Sequence, residues 1–135
     1  MNPPQQLLKN LFWNFNQDKF SSQQDFENEL VNYNELISKG KENVDLSEII
    51  LNCPKIVVQY SYWNEEEDDD IERDFLVEAN NASNFTTGEL LFKIHNEVCE
   101  SLANDDHIFF EGLELWKEDH PDFSGVPFCF LLQGS

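Results

Sequence analysis

The chain has 135 residues, of which 27 are acidic and 8 basic, and its net charge is -19. A surface of that sign repels phosphate backbones and anionic headgroups, which argues against direct binding to nucleic acid or to a membrane surface. With 12 Phe, 3 Trp and 3 Tyr it is too aromatic for a disordered acidic tail, and its length fits one α+β domain, residues 1–135.

In chain order, Pro3-Pro4 suits the first turn of a helix, and Leu7, Leu8, Leu11, Phe12 and Phe15 follow a three-four spacing that predicts an amphipathic helix to about Asn16. Ser21 or Ser22 caps a second expected helix. Its apolar positions Phe26, Leu30, Tyr33 and Ile37 share one face, and Gly40 sits where a helix stops. A short helical turn is expected over Asp45 to Leu51, ended by Pro54.

From Lys55 to Trp63 the pattern turns β-branched and aromatic, predicting a strand at 55–63 covered on both faces. At 71–79, Ile71, Phe75, Val77 and Ala79 alternate with Glu72, Asp74, Leu76 and Glu78, predicting a strand with one wet face. Thr86 and Glu89 form a T-x-x-E capping box ahead of the stripe Leu90, Leu91, Ile94, Val98 and Leu102, which predicts a helix at 86–102. Two further strands are expected, 108–116 and 128–133, joined by a turn that Pro121, Ser124 and Gly125 supply. The expected fold is therefore α+β: N-terminal helices, then a ββαββ unit whose four-stranded antiparallel sheet has helices on one face.

The charge is unevenly placed. Residues 1–60 hold five basic and eight acidic residues, whereas 61–135 hold three basic and nineteen acidic. Glu65, Glu66, Glu67, Asp68, Asp69 and Asp70 run without a break between the two expected strands, and Glu72 and Asp74 follow. A hairpin loop would carry these six carboxylates into solvent. Crowded like charge destabilises a compact state, and a strongly basic partner would make use of it. Trp63 borders the run, and an exposed Trp beside charges is a common interface anchor.

Other chemistry is poorly supported. A calcium loop starting at Asp68 or Asp70 lacks glycine at its sixth position, and from Asp68 its twelfth position is Ala79. Asp105-Asp106-His107 and Asp119-His120 place carboxylates beside imidazoles, but adjacency alone does not make acid–base geometry. His95 sits beside the apolar stripe of its helix and reads as packed. Glu111 interrupts an apolar strand face, where it is either a perturbed acid or, the favoured reading, turned outward by a bulge next to Gly112. No G-x-S-x-G, P-loop or H-E-x-x-H occurs. No catalytic residue, metal or cofactor is assigned. Cys53, Cys99 and Cys129 form no C-x-x-C and read as buried reduced thiols, which implies a reducing, cytoplasmic setting. The N-terminus lacks the basic region and long apolar run of a signal peptide.

The stretch Phe85 to Asn96 followed by Phe109 to Leu113 looks like uncharacterised bacterial proteins without a named activity. In size, acidity and α+β layout the whole chain resembles the immunity proteins of bacterial toxin systems. That resemblance implies a role, occlusion of a co-produced toxin domain, and no transferable residues. Type III secretion chaperones are also small, acidic and α+β, but they usually end in a dimerising helix, where a strand is expected here. A DNA mimic that occupies a nucleic-acid-binding protein is the third class. The expected partner is a basic protein, with Trp63, Glu65 to Asp70, Glu72 and Asp74 as the binding residues.

Overall fold

A computed structural model describes residues 5–39, 45–103, 105–119 and 121–134, with the side chains of 117–119 left aside. It is a mixed α+β fold of two helices and two sheets. A five-stranded sheet runs in the order β1 (Gln5–Leu7), β6 (Phe109–Asp119), β7 (Pro127–Gly134), β3 (Lys55–Asn64) and β4 (Asp69–Glu78). A separate antiparallel pair joins β2 (Ile49–Leu51) to β5 (Phe85–Thr86).

The sheet is not wholly antiparallel. Hairpins β3–β4 and β6–β7 meet edge to edge through β3 and β7, which run parallel with Val57, Val58 and Gln59 opposite Phe128, Cys129 and Phe130. The four expected strands are present to within two residues at each end, except that β6 runs on to Asp119. A parallel seam between hairpins leaves no local mark, because alternation in each strand is the same whichever way its neighbour runs.

The expected N-terminal helix is absent. Gln5–Leu7 pair with β6, Leu8 takes the left-handed φ of 58°, and a turn closes through the Leu11 N–H donating to the Leu8 carbonyl at 3.2 Å. Beyond it Leu11, Trp13 and Phe15 are buried while Phe12 is exposed, so the real period is two. Asn14 bridges to Phe109 at the start of β6, and two carboxamides hold the backbone on either side of that bridge. Asn34 accepts from the Phe12 N–H and donates to the Phe12 carbonyl, both at 2.8 Å, and Asn96 does the same to Phe20 at 3.0 Å. Each thereby pairs backbone groups that no ladder satisfies. The Pro3-Pro4 reading lies outside the described residues.

The expected helical turn at Asp45 to Leu51 is also replaced, by a turn and then β2. Asp45 accepts from the backbone and hydroxyl of Ser47, an Asx turn that competes with helix formation.

The second expected helix is α1 (Gln23–Ser38), capped by Ser22, whose hydroxyl accepts from the Asp25 N–H at 3.1 Å. It ends at Lys39 in the left-handed region; Gly40 lies outside the described residues. Helix α2 (Thr87–Leu102) is capped by Thr86, which accepts from the Glu89 N–H at 3.2 Å. The return arm of the expected box is missing. Glu89 instead accepts from the Asn80 N–H at 2.7 Å and from Lys93 Nζ at 2.8 Å, tying the helix start to the end of β4.

The core lies between the helices and one sheet face. From the strands it takes Ile56, Val58, Val77, Leu113 and Leu131; from α2 it takes Leu90, Leu91, Ile94, Val98 and Leu102. His95 is wholly buried among Trp13, Phe15, Phe20 and Phe26. Its Nδ1 accepts from the Trp13 indole at 3.1 Å, so Nε2 carries the proton and faces the Asp18 carbonyl at 3.0 Å. Burial pushes its pKa below the ordinary histidine value, with the Asp18 hydrogen bond opposing.

The bulge expected at Gly112 is present. The β6–β7 register shifts between Phe110 and Leu113, Gly112 has φ 114°, and Glu111 is exposed. Glycine is required there, because an added Cβ would lie 2.9 Å from the Leu7 carbonyl oxygen.

Candidate partner-binding surface

The β3–β4 hairpin positions the carboxylates. Ten residue pairs join the strands in unbroken register, from Lys55 opposite Glu78 to Asn64 opposite Asp69. The connection is therefore shorter than expected. Glu65, Glu66, Glu67 and Asp68 make the turn, whereas Asp69 and Asp70 already belong to β4. Asn64 nucleates the turn by accepting from the Glu66 and Glu67 N–H groups at 2.9 and 3.2 Å, and Asp68 closes it at φ 52°. Asp tolerates that left-handed conformation better than most residues.

Strand alternation then sorts β4. Val77 and Phe75 face the helices, so Asp70, Glu72, Asp74 and Glu78 lie in a row on the opposite face, with Leu76 between the last two. Successive carboxylates of such a row stand about 7 Å apart, twice the rise per residue. Gln59 donates to Asp74 at 2.9 Å across the pair. Arg73 falls on the other face, its guanidinium 5.5 Å from the centre of the Tyr62 ring. The ion pairs among the described residues, Lys19–Glu100, Lys93–Glu89 and His107 with Asp105 and Asp106, leave out every carboxylate from Glu65 to Glu72.

Trp63 stands opposite Asp70 and is 45% exposed, as its place beside the run suggested. Its backbone N–H points away from β4 and donates to Asp105 Oδ2 at 2.7 Å, while Asp105 Oδ1 accepts from the His107 N–H at 2.8 Å. Burial pulls the Asp105 carboxyl upward, but the hydrogen bonds from His107, Trp63 and Asp106, with the His107 charge, together outweigh it and hold the pKa below the carboxylate norm. One position further in, the Gln133 carboxamide accepts from the Ser61 N–H and donates to the Ser61 carbonyl, both at 3.0 Å. Asp105 and Gln133 thus complete the β3 edge where β7 no longer pairs with it. They hold the hairpin root from a distance in sequence that no local pattern reveals.

Asp105, Asp106 and His107 bring their ligand-type atoms within 4.8 Å of one another, and with Trp63 and Asp70 they frame an open groove of about 470 Å³. Both Asp105 oxygens are already engaged by backbone N–H groups, so the cluster reads as a structural staple. His120 lies outside the described residues, as do the side chains of Glu118 and Asp119. Cys99 and Cys129 are buried and Cys53 half-buried, all as free thiols. Burial pushes the Cys129 thiol up to about 12.

No family model, curated protein or solved structure matches the chain. No helix among the described residues is long and apolar enough to cross a membrane.

Proposed function

We propose that this chain is a protein-binding inhibitor of the immunity type, which neutralises a basic cognate toxin domain by covering it in the cytoplasm. The observation that carries this reading is the carboxylate surface running from the turn Glu65–Asp68 along the outer row of β4. Charge on an edge strand also prevents aggregation, and that role accounts for Glu72 and Asp74. It does not account for four consecutive acids in a turn that lies beyond the ladder. Free thiols accord with a reducing compartment.

Opposed charge fields speed association above the unsteered ~10⁵–10⁶ M⁻¹s⁻¹, and Trp63 at the root of the hairpin supplies an aromatic anchor that slows dissociation. The test is stopped-flow binding to a basic toxin domain recovered with this protein from its native host, at low and physiological salt. With Glu65 to Asp70 replaced by Ser and Asn, association is expected to slow, and the difference to shrink as screening shortens to ~8 Å. Equal rates with equal salt dependence would reduce the hairpin to a solvated tip.

The even spacing of Asp70, Glu72 and Asp74 favours a second reading, a DNA mimic whose carboxylates stand in for phosphates. It differs in one respect: DNA would then compete with this protein for the partner's surface.

A further inference from the structure

The exposed edge of β4 has a backbone polarity that can be read from three contacts. Ala79 donates its N–H to the Pro54 carbonyl at 2.8 Å, so it turns its polar groups toward β3. In an antiparallel pair successive residues turn alternately toward and away from the partner. Glu78, Leu76, Glu72 and Asp70 therefore direct their N–H and C=O groups to the outside of the sheet. Two further contacts agree. Lys93 Nζ reaches the Glu78 carbonyl at 2.6 Å from that side, and the Ser61 and Trp63 N–H groups, opposite Glu72 and Asp70, point away from β4. Among the described residues no strand lies beyond β4.

The two side-chain faces of this edge differ. On one lies the carboxylate row. On the other, an open groove of about 590 Å³ runs between β4 and α2, with half-buried Phe75 and Phe92 in its wall and Asn96 and Glu97 on the helix side. The opposite sheet edge offers nothing comparable, since β1 has three residues and β4 has ten.

We propose that this edge takes up an extended segment of the partner as an added strand along Asp70 to Leu76, with basic side chains over the carboxylate row and alternate apolar side chains in the β4–α2 groove. Lys93 on the Glu78 carbonyl closes the site at one end. The charge selects the occupant: a second copy of this chain would bring its own carboxylates against the row, whereas a strand with lysine or arginine at every second position neutralises it. Backbone pairing gives such a site its grip and the alternate pockets its specificity.

This proposal rests on the reading of a basic partner, and the experiment separates the two. The probe is a synthetic peptide of about seven residues alternating lysine with valine or leucine. Its controls are an isomer with the lysines in one block and a version N-methylated on the amides that would face β4. The alternating peptide is expected to protect the Glu72 and Leu76 amides from hydrogen exchange. Either control is expected to bind about tenfold more weakly: the methylated peptide loses one to two net hydrogen bonds, and the blocked isomer loses the register of its lysines with the carboxylate row. Leu76→Pro removes an N–H that faces outward, a position an edge strand tolerates, and is expected to weaken the alternating peptide while leaving the thermal midpoint near wild type. Should that variant unfold, the N-methylated peptide decides alone. Equal binding of all three peptides, with no new protection at Glu72 and Leu76, overturns strand addition and leaves the basic-partner reading standing. Failure of all three to bind even at low salt overturns both.

Discussion

Under the helices, His95 is fully buried and both its ring nitrogens are engaged, by the Trp13 indole and the Asp18 carbonyl. Along the β3–β4 hairpin, the acids from Glu65 to Glu72 sit in or next to solvent and enter none of the ion pairs found among the described residues. The first region treats every polar group as a packing problem and solves it with a partner. The second places charge where hydration is kept and ties it to the fold only locally, through the Asp70 N–H donating to Asp69 at 2.8 Å and the left-handed φ of Asp68 in the turn. Groups that the fold has satisfied are expected to act on stability; groups left to solvent are free to act on something outside the chain.

The contrast is sharpest where truncation reaches the core. Ile94 is fully buried between α2 and the sheet, so Ile94→Ala is expected to lower stability by about 2–5 kcal/mol in urea unfolding. A change within about 0.5 kcal/mol, the range of surface substitutions, would break the comparison at its firmest side.

His95 tests the same side by pH. Its pKa is depressed in the folded state, so below about 6.5 the unfolded chain takes up a proton that the native chain refuses. Stability therefore falls as pH drops through that point, at up to about 1.4 kcal/mol per pH unit, until the folded value is reached. Urea titrations of wild type and His95→Gln at neutral and mildly acid pH are expected to converge on acidification, because only wild type carries this loss. Parallel losses in both would mean that the imidazole is not the titrating group.

The smallest effect belongs to the hairpin. Replacing Glu65 to Asp70 by Ser and Asn is expected to leave stability within about 0.5 kcal/mol of wild type, with a slight gain from relieved repulsion. A large loss would show that the tip is structural after all, and the contrast between the two regions would disappear.

These regions were also unequally legible in the sequence. Helix α2 and strands β3 and β4 were readable because cap, stripe and alternation agree locally: Thr86, the Leu90–Leu102 stripe, and the Ile71–Ala79 alternation all describe the same elements. The segment Leu7 to Phe15 misled because its apolar residues satisfy two periods at once. The choice between them was made by Asn34 and the β6 edge, both distant in sequence. The acidic run was located correctly, but its division into a four-residue turn and the start of a strand depends on the Asn64–Asp69 register. The supports at Asp105 and Gln133 were not legible as such. One was visible only as a carboxylate beside a histidine, and the other had no pattern at all.

The exposure of Trp63 gives this protein an optical readout at the root of its own charge. Trp13, at 1% exposure, is sealed in the core and Trp116 is half-buried, so collisional quenchers reach Trp63 first. The carboxylates around it gather small cations and thin out small anions. Caesium should therefore dim the exposed indole's emission more than iodide does at matched concentration, and the asymmetry should fade as salt is raised. A cationic chain laid over the hairpin would remove the preference for caesium, so occupancy of the acidic surface can be followed in the unlabelled protein by light alone.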